Sequence, residues 1–337
     1  MKYKILLLLF IPFAFASDKH RLINGAGATF PYILYSKWFS EYSKINTKAK
    51  INYRSIGSGG GVRQLIRGTL DFGASDVPMK EHEIKKSKKS IVHIPTTLSA
   101  VVLTYNLENI AKPLHLNSSV IAQIFDGRIK KWNNPQITAL NKDTILPSQD
   151  IVVIYRADGS GTTAVFTEYL AKTQNDWKVG HGKSVNWPVG IGGKGNEGVL
   201  GLVQKTPGAF AYMGMGYAMN QNLPVAFVQN QTGHFIEPTI SSVQEAAKDI
   251  GPKQSYIESI VNSKREKSYP ISSFSYLLIY KEMEESVGYV IVSFIQWALS
   301  EGQTFSKPLY YVPLPKNVIK QAKEVAKSIH LYKNVSS

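Results

Sequence analysis

From Gly25 to Leu299, short apolar or β-branched runs alternate with stretches whose apolar residues recur at helical spacing. That alternation implies α/β architecture with largely parallel sheets. Pro31 to Ile45 reads as a helix, with Ile33, Leu34, Trp38, Phe39 and Tyr42 at helical spacing. Ile51–Ile56, Ile91–Pro95, Val101–Tyr105, Ile151–Tyr155 and Tyr276–Tyr280 read as strands. Val62–Arg67, Val120–Phe125, Thr162–Lys172 and Val287–Leu299 read as helices, the last too short to span a membrane. No repeat period and no low-complexity linker divides the 337 residues. Two lobes, if present, must therefore be joined through ordinary strands.

The first sixteen residues have the pattern of a secretory leader: Lys2 and Lys4, an apolar run from Ile5 to Phe15, and Ala14-Phe15-Ala16 as a cleavage site. The mature chain is expected to begin at Ser17. There is no cysteine. Disulfides, thiolate catalysis, Cys-based metal sites and a lipid anchor on an N-terminal Cys are thereby excluded, and a secreted, unanchored chain points to the periplasm. The net charge of +15 falls to +13 once the two leader lysines are removed. Such an excess attracts anions. Lys85, Lys86, Lys88 and Lys89 cluster, as do Arg128, Lys130 and Lys131, but without the aromatic interleaving expected of a nucleic-acid surface. These runs read as solvated faces.

Three turns share one design. Gly25-Ala26-Gly27-Ala28-Thr29-Phe30-Pro31 places Thr29 just before a helix. Gly57-Ser58-Gly59-Gly60-Gly61 places Ser58 before a second. Arg156-Ala157-Asp158-Gly159-Ser160-Gly161-Thr162 places Ser160 and Thr162 before a third. Each supplies a hydroxyl and free backbone amides at a helix start, which suits an anion. Any one of them is equally an ordinary cap. The three together, with Arg156 following a buried strand, favour an oxyanion site, because Arg grips such groups bidentately. Asp158 could orient that guanidinium, or the two could form a plain surface ion pair. Asp76 ends a strand-like run near Ser58; a carboxylate beside an anion cradle makes sense if the anion carries a proton. Gly182-Lys183-Ser184 lacks the upstream glycine of a nucleotide loop, and Gly190 to Gly195 matches G-x-G-x-x-G only formally. The seven histidines show no metal-ligand spacing, and His82 reads as part of a solvated Lys-rich helix.

On these residues the chain resembles the periplasmic phosphate-binding protein of the phosphate-specific ABC importer, a type II periplasmic binding protein. Further matching pieces are Asp71 to Asp76, Leu146-Pro147-Ser148-Gln149 and Trp187 to Asn196. The resemblance implies a two-lobed α/β fold, each lobe a mixed, mainly parallel sheet flanked by helices, joined by two hinge strands. Lobe one would be 17–105 plus 275–337, and lobe two 106–274. Phosphate would be held by Thr29 and Phe30 through backbone, and by Ser58, Asp76, Arg156, Ser160, Gly161 and Thr162, with Asp158 supporting Arg156. No cofactor, no metal and no enzymatic activity are implied. The implied partners are inorganic phosphate and membrane permease subunits, with the binding protein a monomer that meets no nucleic acid. One departure stands out: Gly59 occupies a place where the family often has Ser, which is expected to alter the turn's flexibility more than the contacts. Two other functions fit parts of the sequence. A phosphatase with Ser58 or Ser160 as nucleophile would need an activating base or metal ions, and none is evident nearby. A surface adhesin would use the basic face and bind in a salt-sensitive way.

Overall fold

The computed structural model describes residues 21–47, 49–110, 112–248, 250 and 255–333. The expected leader, 1–16, and the expected start at Ser17 lie outside the described residues. The strands are β1 Arg21–Gly27, β2 Ala49–Ser55, β3 Phe72–Ser75, β4 Ile91–Tyr105, β5 His115–Leu116, β6 Val152–Arg156, β7 Ile191–Gly193, β8 Ala209–Gly214, β9 Phe227–Gln229, β10 Phe235–Ile236, β11 Ser272–Tyr280, β12 Glu282–Glu284 and β13 His330–Tyr332. Eight of them form one mixed sheet in the order β2-β1-β3-β11-β4-β8-β6-β7, with helices packed on its faces.

The sheet has two halves that share β4. Ile91 to Ala100 of β4 pair with β11, whereas Val101 to Tyr105 pair with β8. The partner changes between Ala100 and Val101, where the Val101 amide donates to the Ile271 carbonyl at 2.8 Å, just before β11 begins. Pairs away from the crossing strands are parallel: β1 with β2 and β3, and β6 with β7 and β8. The antiparallel pairs of this sheet all include β4 or β11. Parallel neighbours come from strand–helix–strand units within one lobe; the antiparallel ones mark where the chain passes from one lobe to the other and back.

β4 is one strand where two were expected. Pro95 removes a ladder donor, and Thr96, Thr97 and Ser99 look like a polar break. The strand continues because Thr96 is looped out as a bulge, Pro95 facing Tyr276 and Thr97 facing Ser275. The buried hydroxyls find carbonyls: Thr96 donates to Ser275 O at 3.0 Å and Thr97 to Val312 O at 3.1 Å.

The helix Tyr32–Ile45 buries Leu34, Tyr35, Trp38 and Tyr42 on one face. Tyr35 and Trp38 stack at 5.6 Å, and the fully buried Trp38 indole donates to the Gly302 carbonyl at 2.6 Å. This bond ties the first lobe's N-terminal helix to the C-terminal segment that completes it. Trp38→Ala should therefore lower the unfolding free energy by about 3–5 kcal/mol, through the cavity left and the lost contacts. Chemical denaturation checks this; a loss under 1 kcal/mol would show that Trp38 does not carry this junction.

Candidate functional site

The three Ser/Thr-Gly turns converge on the seam between the lobes. Ala28 to Pro31 follow β1, Gly57 and Ser58 follow β2, and Asp76 follows β3, so three adjacent strands of one lobe release their chains at the same edge. From the other lobe β6 ends at Arg156, and the helix Gly161–Thr173 begins five residues later. Thr29, Phe30, Ser58, Asp76, Arg156, Ser160 and Thr162 are all less than 5% exposed.

The seam is closed by groups that lack side chains. The Gly59 amide donates to the Gly159 carbonyl at 2.8 Å. A Cβ on Gly59 would come within 3.2 Å of the Gly159 Cα, so the departure from Ser at this position favours close backbone approach between lobes. Gly161 is tighter still: a Cβ there would lie 2.5 Å from both Asp76 Oδ2 and Ser58 Oγ. Thus Gly161 of one lobe faces Ser58 and Asp76 of the other.

Asp76 is the electrostatic centre of this wall. Ser275 donates to Oδ1 at 2.9 Å, and Ser58 donates to Oδ2 at 3.3 Å. Burial pushes the carboxyl up to about 7, against the lowering effects of Ser275, the Arg156 charge and Ser58. On the opposite wall Arg156 Nε and Nη2 clasp both oxygens of Asp158, at 2.7 and 2.6 Å, and Nη1 donates to Thr162 Oγ1 at 3.2 Å. Three of its five donors are engaged, and two remain for an anion. Burial raises the Asp158 carboxyl, but the Arg156 hydrogen bonds and charge and the Gly195 amide outweigh that and hold it below the usual range. Asp158 is thus a positioning partner in a bidentate pair, its Arg side 1% exposed, and not the loose surface pair that was the alternative.

Of the remaining expected residues, Ser160 caps its helix, its Oγ accepting from the Thr163 amide at 3.0 Å. Tyr217 and Tyr311 donate to the carbonyls of Thr29 and Phe30, at 2.7 and 2.6 Å. These bonds fix the turn that opens the first helix.

Two site residues escaped the sequence reading. Asn196 is fully buried and donates through Nδ2 to Thr29 Oγ1 at 2.6 Å and Thr162 Oγ1 at 3.4 Å, while its Oδ1 accepts from the Gly214 amide. It bridges one lobe's hydroxyl to the other's. The formal G-x-G-x-x-G stretch was a usable signal, since it forms β7 and the turn into the helix Gly195–Lys205, and its Gly195 amide donates to Asp158 at 3.0 Å. Ser275 is the second. Its signal was three serines, 272, 273 and 275, in a strand buried along its whole length. Among the described residues no group of three His, Asp or Glu is placed to hold a metal ion.

The PBP superfamily domain matches residues 15–301. The phosphate-binding protein PstS of Haemophilus influenzae is 44% identical over 329 residues, covering 95% of this chain and 96% of its own length. The PstS protein of Pasteurella multocida is 41% identical, covering 94% and 93%. Among solved structures, a high-affinity periplasmic phosphate-binding protein bound with phosphate superposes with a TM-score of 0.73 at 19% identity, covering 90% of this chain and 93% of that one. A phosphate ABC transporter substrate-binding protein from Clostridium perfringens, also with bound phosphate, gives 0.64 at 18% identity, covering 88% and 100%. At those identities the structures speak for the two-lobed fold, while the sequence relatives place the chain more finely: it belongs to the PBP superfamily and, within it, to the PstS family of phosphate-binding proteins.

Proposed function

We propose that this chain captures inorganic phosphate in the seam between its lobes and delivers it to the permease of an ABC importer, acting outside the cytoplasm as a periplasmic monomer. Its relatives are named as binding proteins, and the chain is a binding protein, not an enzyme. The observation that carries the ligand assignment is Asp76, a buried carboxylate within an anion cradle. Thr29, Phe30, Ser58, Gly161 and Thr162 would supply backbone amides and hydroxyls at three helix starts. Arg156, held by Asp158, would supply charge-assisted bonds, and Ser160 would cap the third helix. Lobe one would comprise 17–105 plus 275–337 and lobe two 106–274. Support for two lobes comes from the partner switch in β4 and the Val101–Ile271 bond, which put both crossings side by side at Ala100/Val101 and Ile271/Ser272, a few residues before each of those bounds. Rotation there would open the seam.

Selectivity would follow from proton count. Phosphate near neutral pH keeps a proton that it can donate to the Asp76 carboxylate. Sulfate has none, and must either face that carboxylate as a second bare anion or bind with Asp76 itself protonated, which costs about 1.4 kcal/mol for each pH unit above about 7. The preference for phosphate should therefore widen by up to about tenfold per pH unit above that value. Asp76→Asn should therefore reduce the preference for phosphate over sulfate more than it weakens phosphate binding. Titration calorimetry with both anions decides it: an unchanged preference sinks the assignment of Asp76.

The same carboxyl gives a pH test without ligand. Its folded value of about 7 exceeds its ordinary 3.8. Between those values the unfolded chain has lost a proton that the folded one retains, so stability falls as pH rises, then levels off above about 7. The advantage of Asp76→Asn over the unsubstituted chain should grow from pH 4 to pH 8, on a scale of about 1.4 kcal/mol per pH unit. Phosphate-free denaturation at the two pH values measures it, and no growth would refute the raised value. Gly161→Ala tests the closed seam. Its methyl would overlap Asp76 and Ser58, so the variant should fold normally yet bind phosphate at least about a hundredfold more weakly, the scale of a 3 kcal/mol clash. Unaltered affinity would mean that the ligand-bound seam is wider than this one.

A further inference from the structure

Outside the ligand set, one ion pair crosses the seam. Lys183 Nζ donates to both oxygens of Glu83, each at 2.9 Å, across 100 residues of chain. Their side chains are 12% and 19% exposed, and among the described ion pairs only Arg156–Asp158 is more deeply buried. It is also the one described ion pair that joins the two lobes. Both ends are braced. On one side, the Lys80 amide donates to Glu83 Oε2 at 2.9 Å, and the Met79 amide to His93 Nε2 at 3.0 Å. The eight residues from Asp76 to Glu83 are thereby tied to β4 through Met79. On the other side, the Lys183 carbonyl accepts from the Ser160 amide at 2.7 Å, and the Gly182 amide donates to Thr167 Oγ1 at 3.1 Å. Lys183 is thus strapped to the helix Gly161–Thr173 at its N-cap and in its second turn.

We infer that Glu83 and Lys183 are a clasp that sets how long the closed protein retains its ligand. The inference rests on the phosphate-capture reading. Glu83 moves with Asp76, and Lys183 moves with Ser160 and Gly161, so the bond can form only when the two walls of the cradle meet. Lys183 also borders a cavity of about 490 Å³ lined by Val77, Pro78 and Lys80 of one lobe and Ala164 and Lys172 of the other. The pair therefore stands at the rim of the seam, beside the anion seat and not in it. Such a bond adds nothing to the encounter, when the lobes are apart, and must break before they part again. It acts on release. Burial lowers the Lys183 ammonium despite its bond to Glu83, whereas on Glu83 the Lys183 hydrogen bond and the Lys80 amide outweigh burial and hold the carboxyl below its usual range. Glu83 and Lys183 are positioning residues; neither is expected to touch phosphate.

Stopped-flow kinetics of phosphate binding test this in the full chain and in Glu83→Gln, Lys183→Met and the double variant. Each single change should raise the phosphate dissociation rate about tenfold and leave the association rate within about twofold, since breaking a buried charge pair acts on koff. The double variant should be no faster in release than the faster single, because either change alone removes the whole bond. The phosphate-free thermal midpoints should fall less than the phosphate-bound ones, and the preference over sulfate should stay unchanged. Dissociation rates within twofold of the unsubstituted chain, or single effects that multiply in the double, would overturn the clasp alone. So would phosphate-free midpoints that fall as far as the phosphate-bound ones, which would mark the pair as merely structural. Failure of the unsubstituted chain to bind phosphate would instead refute the capture reading, and the clasp with it.

Discussion

The buried carboxylate of Asp76 is the costliest group in the seam, and its surroundings are arranged around it. At 1% exposure an isolated charge would be strongly disfavoured. Two serine hydroxyls and the Arg156 charge offset part of that penalty, and the remainder keeps the carboxyl at about 7 instead of 3.8. A group held there can accept or release a proton near neutral pH at little cost. Asp158, less than 20% exposed on its side chain, goes the opposite way because it is locked to Arg156. Two carboxylates in one seam therefore do different work. Asp158 orients a guanidinium and neutralises much of its field, and Asp76, on the proposed capture, would read the protonation of the ligand between the walls.

The register of the sheet explains why Asp76 has these partners. β3 runs antiparallel to β11 with Ser75 opposite Tyr276, so the next residue of β3's chain, Asp76, arrives beside the preceding residue of β11, Ser275. The bulge at Thr96 lies at the same level of β4, and the Thr96 hydroxyl bonds the Ser275 carbonyl. That extra residue therefore helps to aim the Ser275 hydroxyl at the carboxylate. The crossing strands do more than connect lobes: they carry Ser275, so a rotation about them would move the second wall relative to an Asp76–Ser275 unit that stays intact.

Local chemistry was legible in the sequence and long-range pairing was not. The helix at Tyr32–Ile45 announced itself through periodicity, and the three anion turns through Ser, Thr and Gly at helix starts. Arg156 with Asp158 could be paired because they lie only two positions apart. Ser275 lies 199 residues from Asp76, and no local rule links a serine in a buried strand to a distant carboxylate. β4 was read as two strands because a local scan sees Pro95 as a break and cannot see the carbonyls that satisfy Thr96 and Thr97. Glu83 and Lys183 were read from their neighbours, as part of a solvated face and of a failed nucleotide loop. His82 is indeed exposed, but Glu83, one residue on, turns into the seam, a distinction that only the partner across the cleft creates.

The chain's positive charge and its buried Asp76 carboxylate act over different ranges. A net +15 draws in every small oxyanion alike, and at physiological salt its reach fades within about 8 Å. It can raise the rate of encounter but cannot tell one anion from another. Discrimination needs contact in a dry site, where a hydrogen-bonded proton and a bare charge are no longer screened alike. The glycines at 59, 159 and 161 make that contact possible by letting backbone meet backbone and carboxylate without intervening side chains. On the proposed capture, attraction would fall to the surface, selection to Asp76, and retention to whatever keeps the seam shut after selection has been made.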